Sequence, residues 1–401
     1  MYKIINHYNK IEAELCPHPT GICKVNLFAL ESNIKKLRVF ASAKSRKKLK
    51  FLFPVKGNGY GSGMIPIAKF VEKKQLCDYF GVAHFEEAYE LKKANIQTPI
   101  LILAQSFLKS DQISYIVKHN IEQAVSDKSL LRKLNAEAKK QKKIVNIHLN
   151  IDTGMGRLGV FAKDALSFIK EINKYKNVHL AGVMTHFSVA DVNNSKQFIY
   201  TKQQIKIFTK LRKQILVGAR NNDIIFHAAN SAGILEHPSS LFDMIRPGIA
   251  TYGYPERYGN GLSLRLKSIM EVTTKIVMIK TYPKGYSIGY GRTYSAKQGE
   301  RIAIATIGYA DGLNRGLSNK LTPIVNGKKT QSLGRISMDQ FCLKAGKKTK
   351  AGDKVIIIGQ GNKYSNSAHD IADQINTIPY EILCILGNAK RIRHEYCYIR
   401  Q

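Results

Sequence analysis

From residue 50 to residue 248, short β-branched, aliphatic and aromatic runs recur. Each is followed by a stretch in which apolar residues return every three or four positions. The runs Lys50–Lys56, Tyr79–Ala83, Pro99–Ala104, Ile121–Ser126, Val145–Asp152, Val178–Phe187, Ile224–Asn230 and Asp243–Gly248 predict strands. Between them, Phe85–Asn95, Ser129–Lys143, Lys163–Lys174 and Ser195–Leu216 predict helices. In the last of these, Phe198, Tyr200, Ile205, Phe208 and Leu211 fall mostly on one face. Alternating strands and helices imply a parallel sheet, and eight strands in about 200 residues suit a closed (β/α)8 barrel of the TIM type. An open doubly wound sheet uses the same elements, so alternation by itself leaves both architectures open.

Near residue 262 the rhythm changes. Long amphipathic stretches give way to short strands punctuated by Gly and Asn: Met270–Lys280, Ile302–Gly308, Thr322–Val325, Gln340–Ala345 and Lys354–Gly359. Only Ala368–Ile375 and Tyr380–Leu386 read as helical there. The expected organisation is α/β: an N-terminal extension or strand over 1–22, a barrel over 23–262, and a predominantly β C-terminal domain over 263–401.

Composition narrows the classes. With 44% hydrophobic and 23% charged residues, a chain of 401 residues buries a full core, which excludes wholesale disorder. No apolar run approaches the roughly 18 residues that span a bilayer. The segment Met1 to Cys16 carries Lys3, Lys10, Glu12 and Glu14 and no apolar core, so a cytoplasmic protein without a membrane partner is expected. Six cysteines without a Cys-x-x-Cys pair suit neither a disulfide scaffold nor a zinc site, and no metal is expected. The excess of 63 Lys plus Arg over 29 Asp plus Glu, a net +34, points toward polyanions. However, the runs Lys44–Lys50, Lys139–Lys143 and Lys347–Lys350 are not interleaved with aromatic residues. They read as solvated surface, and no nucleic-acid partner is expected.

Candidate chemistry collects at the C-terminal ends of the predicted strands. Lys56 ends an apolar strand and is followed by Gly57, Gly59, Gly61 and Gly63, whose spacing is not that of a dinucleotide fingerprint. A lysine partly withdrawn from water has a lowered pKa and forms Schiff bases with aldehydes. Asp152-Thr-Gly-Met-Gly-Arg157, Thr185-His186, His227-Ala-Ala-Asn-Ser231 and Arg246-Pro-Gly-Ile249 end later strands, at the face where barrel enzymes build their sites. Ser231 offers a hydroxyl, and Gly248 and Ile249 offer backbone N–H groups to a phosphate. A lysine, a phosphate pocket and an arginine between them describe a pyridoxal phosphate site. Each residue alone has a plainer reading, a core histidine or a half-buried sheet tyrosine; the ordered set carries the inference.

In that order and spacing the motifs resemble those of the alanine racemases, from about Cys23 to Arg393. The resemblance implies that Lys56 carries pyridoxal 5'-phosphate. Tyr60, Ser231, Gly248, Ile249 and Tyr380, with Asn230 beside them, would bind its phosphate. His186 would lie against its ring and Arg246 would face the ring nitrogen. A guanidinium there donates and keeps that nitrogen from taking a proton, whereas enzymes needing a strong electron sink place a carboxylate. The resemblance further implies a head-to-tail homodimer, with Lys56 of one chain and Tyr290 of the other as the two acid–base groups flanking the substrate. His227 would hydrogen-bond Tyr290 and be held by Arg246. Arg157 and the Met338 backbone N–H would meet the substrate carboxylate, and Tyr309 would stand at the entrance.

Two positions depart from the family pattern. Asn150 replaces the lysine that is usually carbamylated, as in broad-specificity and serine-racemising relatives, where a chloride stands in for the carbamate. A chloride at Asn150 and Arg157 is therefore expected. Ser62 stands where the family usually has His. Racemisation of L-alanine to D-alanine for peptidoglycan is the expected reaction, with a broad-specificity or serine racemase as the alternative. A barrel-fold decarboxylase is disfavoured by Arg246, and a non-enzymatic pyridoxal-phosphate carrier by the second domain with Tyr290 and Met338.

Overall fold

In the computed structural model, residues 20–192, 194–218, 223–255 and 259–400 are described; Cys16 and most of the expected 1–22 extension lie outside them. The predicted parallel strands are β2 (Lys50–Pro54), β3 (Tyr79–Val82), β4 (Ile100–Ile102), β5 (Glu122–Val125), β6 (Val145–Asp152), β8 (Val178–Met184), β9 (Ile225–His227) and β10 (Met244–Ile245). They pair in the order β5-β4-β3-β2-β10-β9-β8-β6, and β5 also pairs with β6, so the eight strands close into a barrel. A short strand, β7 (Val160–Phe161), runs beside the end of β6. Closure decides between the two architectures that alternation left open.

The helices form where the apolar period predicts them, with ends set by local chemistry. Lys128–Lys140 starts at Asp127, whose carboxylate accepts from the Ser129 and Leu130 N–H groups. Phe85–Lys93 opens with Glu87 accepting from the Ala83 and His84 N–H groups and stops before Asn95, which adopts φ +63°. Ser195–Gly218 is the long helix predicted from Ser195.

The second domain is an antiparallel sheet around β11 (Met270–Tyr282), which pairs with β1 (Gly21–Asn26) and Glu300–Ala305 along one edge and with Lys354–Gln360 on the other. Strand β1 in turn pairs in parallel with the last strand, Ile392–Cys397. The first described strand thus belongs to the sheet of the second domain, although residues from 23 onward were assigned to the barrel on sequence. The helices Ala368–Gln374 and Pro379–Gly387 fall where the sequence predicts them.

Candidate active site

Lys56 follows β2 at the barrel mouth and begins a left-handed turn: Gly57, Asn58, Gly59, Tyr60 and Gly61 have φ of +63°, +54°, +64°, +52° and +79°. Left-handed backbone costs a side-chain-bearing residue about 1–2 kcal/mol, and the alternating glycines confine that cost to Asn58 and Tyr60. The turn is held from several sides. Glu87 Oε1 accepts from the Gly57 N–H (2.6 Å), and Asn58 Oδ1 accepts from the Met64 N–H (2.8 Å). His394 Nε2 meets the Gly61 carbonyl (2.8 Å), and the Tyr396 hydroxyl donates to the Ser62 carbonyl (3.1 Å). Solvent reaches Lys56 in the single chain, yet the surrounding protein displaces enough water to push its amine below the usual lysine value. The positive charge of Arg157 pushes it the same way.

Tyr60 packs under this turn, stacked on Tyr252 (4.5 Å between centroids) and near Tyr380 (5.9 Å). A Cβ on Gly248 would lie 2.5 Å from the Tyr60 hydroxyl, so glycine is what lets the hydroxyl approach that backbone. Burial holds the Tyr60 phenol well above the usual tyrosine value, which keeps it a neutral donor. Ser231 Oγ accepts from the Ala250 N–H (3.1 Å), and Asn230 caps the helix Ser231–Glu236 through the Gly233 N–H (2.9 Å). The expected phosphate ligands Tyr60, Ser231, Gly248, Ile249 and Tyr380 therefore gather at one side of the mouth. A hydroxyl pair and free backbone edges beside an amine suit a phosphorylated aldehyde.

Arg246 is buried after β10. Its Nη2 donates to the Thr185 carbonyl (2.7 Å) and the Ala228 carbonyl (3.0 Å) and lies 3.4 Å from His186 Nδ1, while its Nη1 lies 2.8 Å from His227 Nδ1. Burial lowers the guanidinium to about 9, still above neutral pH. Burial, with Arg246 next, pushes His186 down to about 3 and His227 well below its usual value, so both rings are neutral. The pairing of His227 with Arg246 is as expected, but its expected bond to Tyr290 requires correction. His227 Nε2 is already 2.7 Å from His148 Nδ1, leaving no ring nitrogen for a tyrosine. His186 is the less buried of the two histidines.

Arg157 does not pair with Asp152. One Asp152 oxygen accepts from the N–H groups of Gly154 (2.8 Å), Met155 (2.9 Å) and Gly156 (3.2 Å), fixing the turn that projects the arginine. Asn150 is buried on β6, and among the described residues neither its amide nor the Arg157 guanidinium has a hydrogen-bond partner. Ser62 is buried and its carbonyl is engaged by Tyr396. The same residues include no group of three or more His, Cys, Asp or Glu able to hold a metal ion.

Tyr290, Tyr309 and Met338 lie in the second domain, 70%, 43% and 52% exposed. Backbone bonds from Tyr309 and Ala310 to Ser337 and Met338 (both 3.0 Å) place Tyr309 and Met338 together. Among the described residues no hydrogen bond or ring contact joins these three to Lys56, Tyr60 or Arg246 of the same chain. Sequence reasoning missed Glu87, Tyr252, His148 and Glu122. A usable signal existed for His148: it precedes Asn150 by two positions on a strand, so both point to one face.

The family described as "Alanine racemase, N-terminal domain" matches residues 25–256, and "Alanine racemase, C-terminal domain" matches residues 269–396. The chain is 37% identical to the alanine racemase of Treponema denticola over 366 residues, covering 90% of this chain and 94% of that one. It is 36% identical to alanine racemase 1 of Caldanaerobacter subterraneus subsp. tengcongensis, covering 95% of each. The solved alanine racemase of D-cycloserine producing Streptomyces lavendulae superposes with a TM-score of 0.87 at 27% identity, over 96% of this chain and 98% of that one.

Proposed function

The chain belongs to the alanine racemase family, whose enzymes depend on pyridoxal 5'-phosphate, and from that premise we propose that it interconverts L-alanine and D-alanine in the cytoplasm, supplying the D-enantiomer for peptidoglycan. The observation that carries this reading is the mouth itself. An amine of lowered pKa shares one pocket with a buried arginine and a cradle in which only glycine at 248 leaves room for the Tyr60 hydroxyl. That donor set fits the cofactor. Lys56 would hold its aldehyde carbon, Tyr60, Asn230, Ser231, Gly248, Ile249 and Tyr380 its phosphate, His186 its ring face and Arg246 its ring nitrogen. When bound, the cofactor acidifies the substrate Cα–H by accepting the electron pair of the broken bond.

Lys56 Nζ exchanges the Cα proton on one face of the substrate, and its lowered pKa favours the neutral, proton-accepting amine. Tyr290 of the partner subunit exchanges it on the other face through its phenolic oxygen. Arg157 and the Met338 backbone N–H bind the substrate carboxylate, and Tyr309 lines the way in. The exposure of Tyr290, Tyr309 and Met338, and the absence among the described residues of a hydrogen bond or ring contact from them to Lys56, support a head-to-tail homodimer in which each second domain completes its neighbour's site. No helix among the described residues is long and apolar enough to cross a membrane.

Asn150 favours a second reading within the same family, a broad-specificity or serine racemase. The Asn150 amide and Arg157 guanidinium, without a hydrogen-bond partner among the described residues, support a chloride held between them as the negative charge that orients Arg157. A bromide soak should show an anomalous peak beside both residues; a crystal with no halide there contradicts it. The reaction is tested by incubating the protein and pyridoxal phosphate with L-alanine, L-serine and larger L-amino acids. D-alanine should form fastest, faster D-serine would favour the second reading, and no D-product from any of them would overturn both.

A further inference from the structure

A TIM barrel interior is ordinarily filled by layers of apolar side chains. Here the layer of Leu52, Tyr79, Leu101 and Met244 also contains Glu122, in register with Leu101, and His148, edge-on to Tyr79. Both are buried, and both belong to one continuous line of hydrogen bonds. Glu122 Oε2 is 2.7 Å from His148 Nε2, His148 Nδ1 is 2.7 Å from His227 Nε2, and His227 Nδ1 is 2.8 Å from Arg246 Nη1. Glu122 opens β5, at the end of the barrel opposite the mouth, so the line crosses the interior to the arginine at the site.

The two ends fix the polarity of everything between them. A guanidinium only donates and a carboxylate only accepts. Arg246 Nη1 therefore donates to His227 Nδ1, which puts the single His227 proton on Nε2. That proton is donated to His148 Nδ1, which puts the His148 proton on Nε2, pointing at Glu122. Protonating either ring on both nitrogens, or exchanging the tautomer of either, sets two donors face to face at 2.7 or 2.8 Å. A guanidinium buried on neutral partners alone is costly, and Glu122 is the negative charge in the line. The sequence makes room for it: a Cβ on Gly182 would lie 2.3 Å from His148 Nδ1.

We propose that Glu122 and His148 are positioning residues for Arg246, forming with His227 a relay of one fixed polarity that aims the guanidinium into the site and ties its charge to a carboxylate across the barrel. The proposal rests on the reading of Arg246 as the group facing the cofactor's ring nitrogen. Glu122 and His148 touch neither cofactor nor substrate, so their effect reaches the reaction only through what Arg246 presents.

The test uses the holoenzyme and two variants. Glu122→Gln keeps an oxygen for the His148 proton and removes the charge, whereas Glu122→Leu removes both. With each variant loaded to the wild-type cofactor content, kcat should fall about tenfold in Glu122→Gln and further in Glu122→Leu, while KM for alanine changes less than about threefold. The visible absorption of the bound cofactor should shift in the same order, because the donor at its ring nitrogen has changed. A merely structural role would lower folding stability and cofactor content but leave the absorption of the loaded fraction unmoved. Independently, ¹⁵N shifts of histidine-labelled wild-type protein should show His148 and His227 neutral with the proton on Nε2, with or without cofactor. A proton on Nδ1 of either ring, or wild-type turnover and absorption in both variants, would overturn the proposal. If Glu122→Leu does not fold, Glu122→Gln and the wild-type shifts still decide. The shifts do not depend on which amino acid is turned over, so a protein that racemises nothing would refute the function while the relay was still read.

Discussion

Lys56 gains its reactivity from two neighbours acting in one direction: the protein that displaces water around its amine and the cation of Arg157. Both disfavour the ammonium form, so at a given pH below the usual lysine pKa more free amine is present than on a surface lysine. In cofactor-free protein the rate at which an acylating reagent modifies Lys56 should therefore rise at lower pH than for exposed lysines. In Arg157→Ala the rise should move back upward in pH, since one cation disfavouring the ammonium is gone. A profile unmoved by the substitution would contradict the charge argument. Residues of this kind were legible in the sequence because their chemistry is concentrated in motifs at strand ends. Glu122 was not, and of His148 only the strand face was, because their partners come from pairing across the barrel: Glu122 is 26 positions from His148, which is 79 from His227. No local pattern announces such distances, and a glutamate at the start of a short strand reads as solvent-facing until closure buries it. His227 was assigned the wrong neighbour for the same reason.

The element on which the site turns is the left-handed loop Gly57–Gly61. The alternating glycines that follow Lys56 in the sequence make a turn few other residues tolerate. Against this loop lies the helix Pro379–Gly387: a Cβ on Gly61 would sit 2.2 Å from the Leu383 carbonyl oxygen. Gly61→Ala should then cost more than about 2 kcal/mol, the left-handed strain plus a backbone overlap, and should weaken cofactor binding. Gly156→Ala supplies the comparison. It has φ +69° with open space where the Cβ would go, so only about 1–2 kcal/mol of strain is expected. Urea midpoints of the two variants check this, and equal losses would contradict it. Strand positions were legible from apolar runs, but their ends were not. Val178–Phe187 pairs only as far as Met184, because Thr185 and His186 turn out toward Arg246.

At the scale of the molecule, the second domain serves its own barrel and, in the proposed dimer, its neighbour's. Within one chain its last strand braces the lysine loop through His394 and Tyr396, while β1 joins the same sheet from the other end of the described chain. In the proposed dimer, the exposed Tyr290, Tyr309 and Met338 would be what it offers a neighbour. Of the cations behind the net charge of +34, which alone pointed toward polyanions, the proposed site draws on Lys56, Arg157 and Arg246. The two-domain architecture was legible from the change of rhythm near residue 262. The engagement of β1 with the second sheet was not, because a short apolar strand carries no mark of which sheet it will join. The central claim, that one site takes its two proton-transfer groups from two chains, is tested most directly by mixing inactive variants. Lys56→Ala and Tyr290→Phe should each lack alanine racemase activity alone. After dissociation and random reassociation of equal amounts, half the dimers are mixed and each mixed dimer holds one intact site, so about one quarter of wild-type activity should return. Full inactivity of the mixture, with mixed dimers demonstrably present, would contradict the shared site.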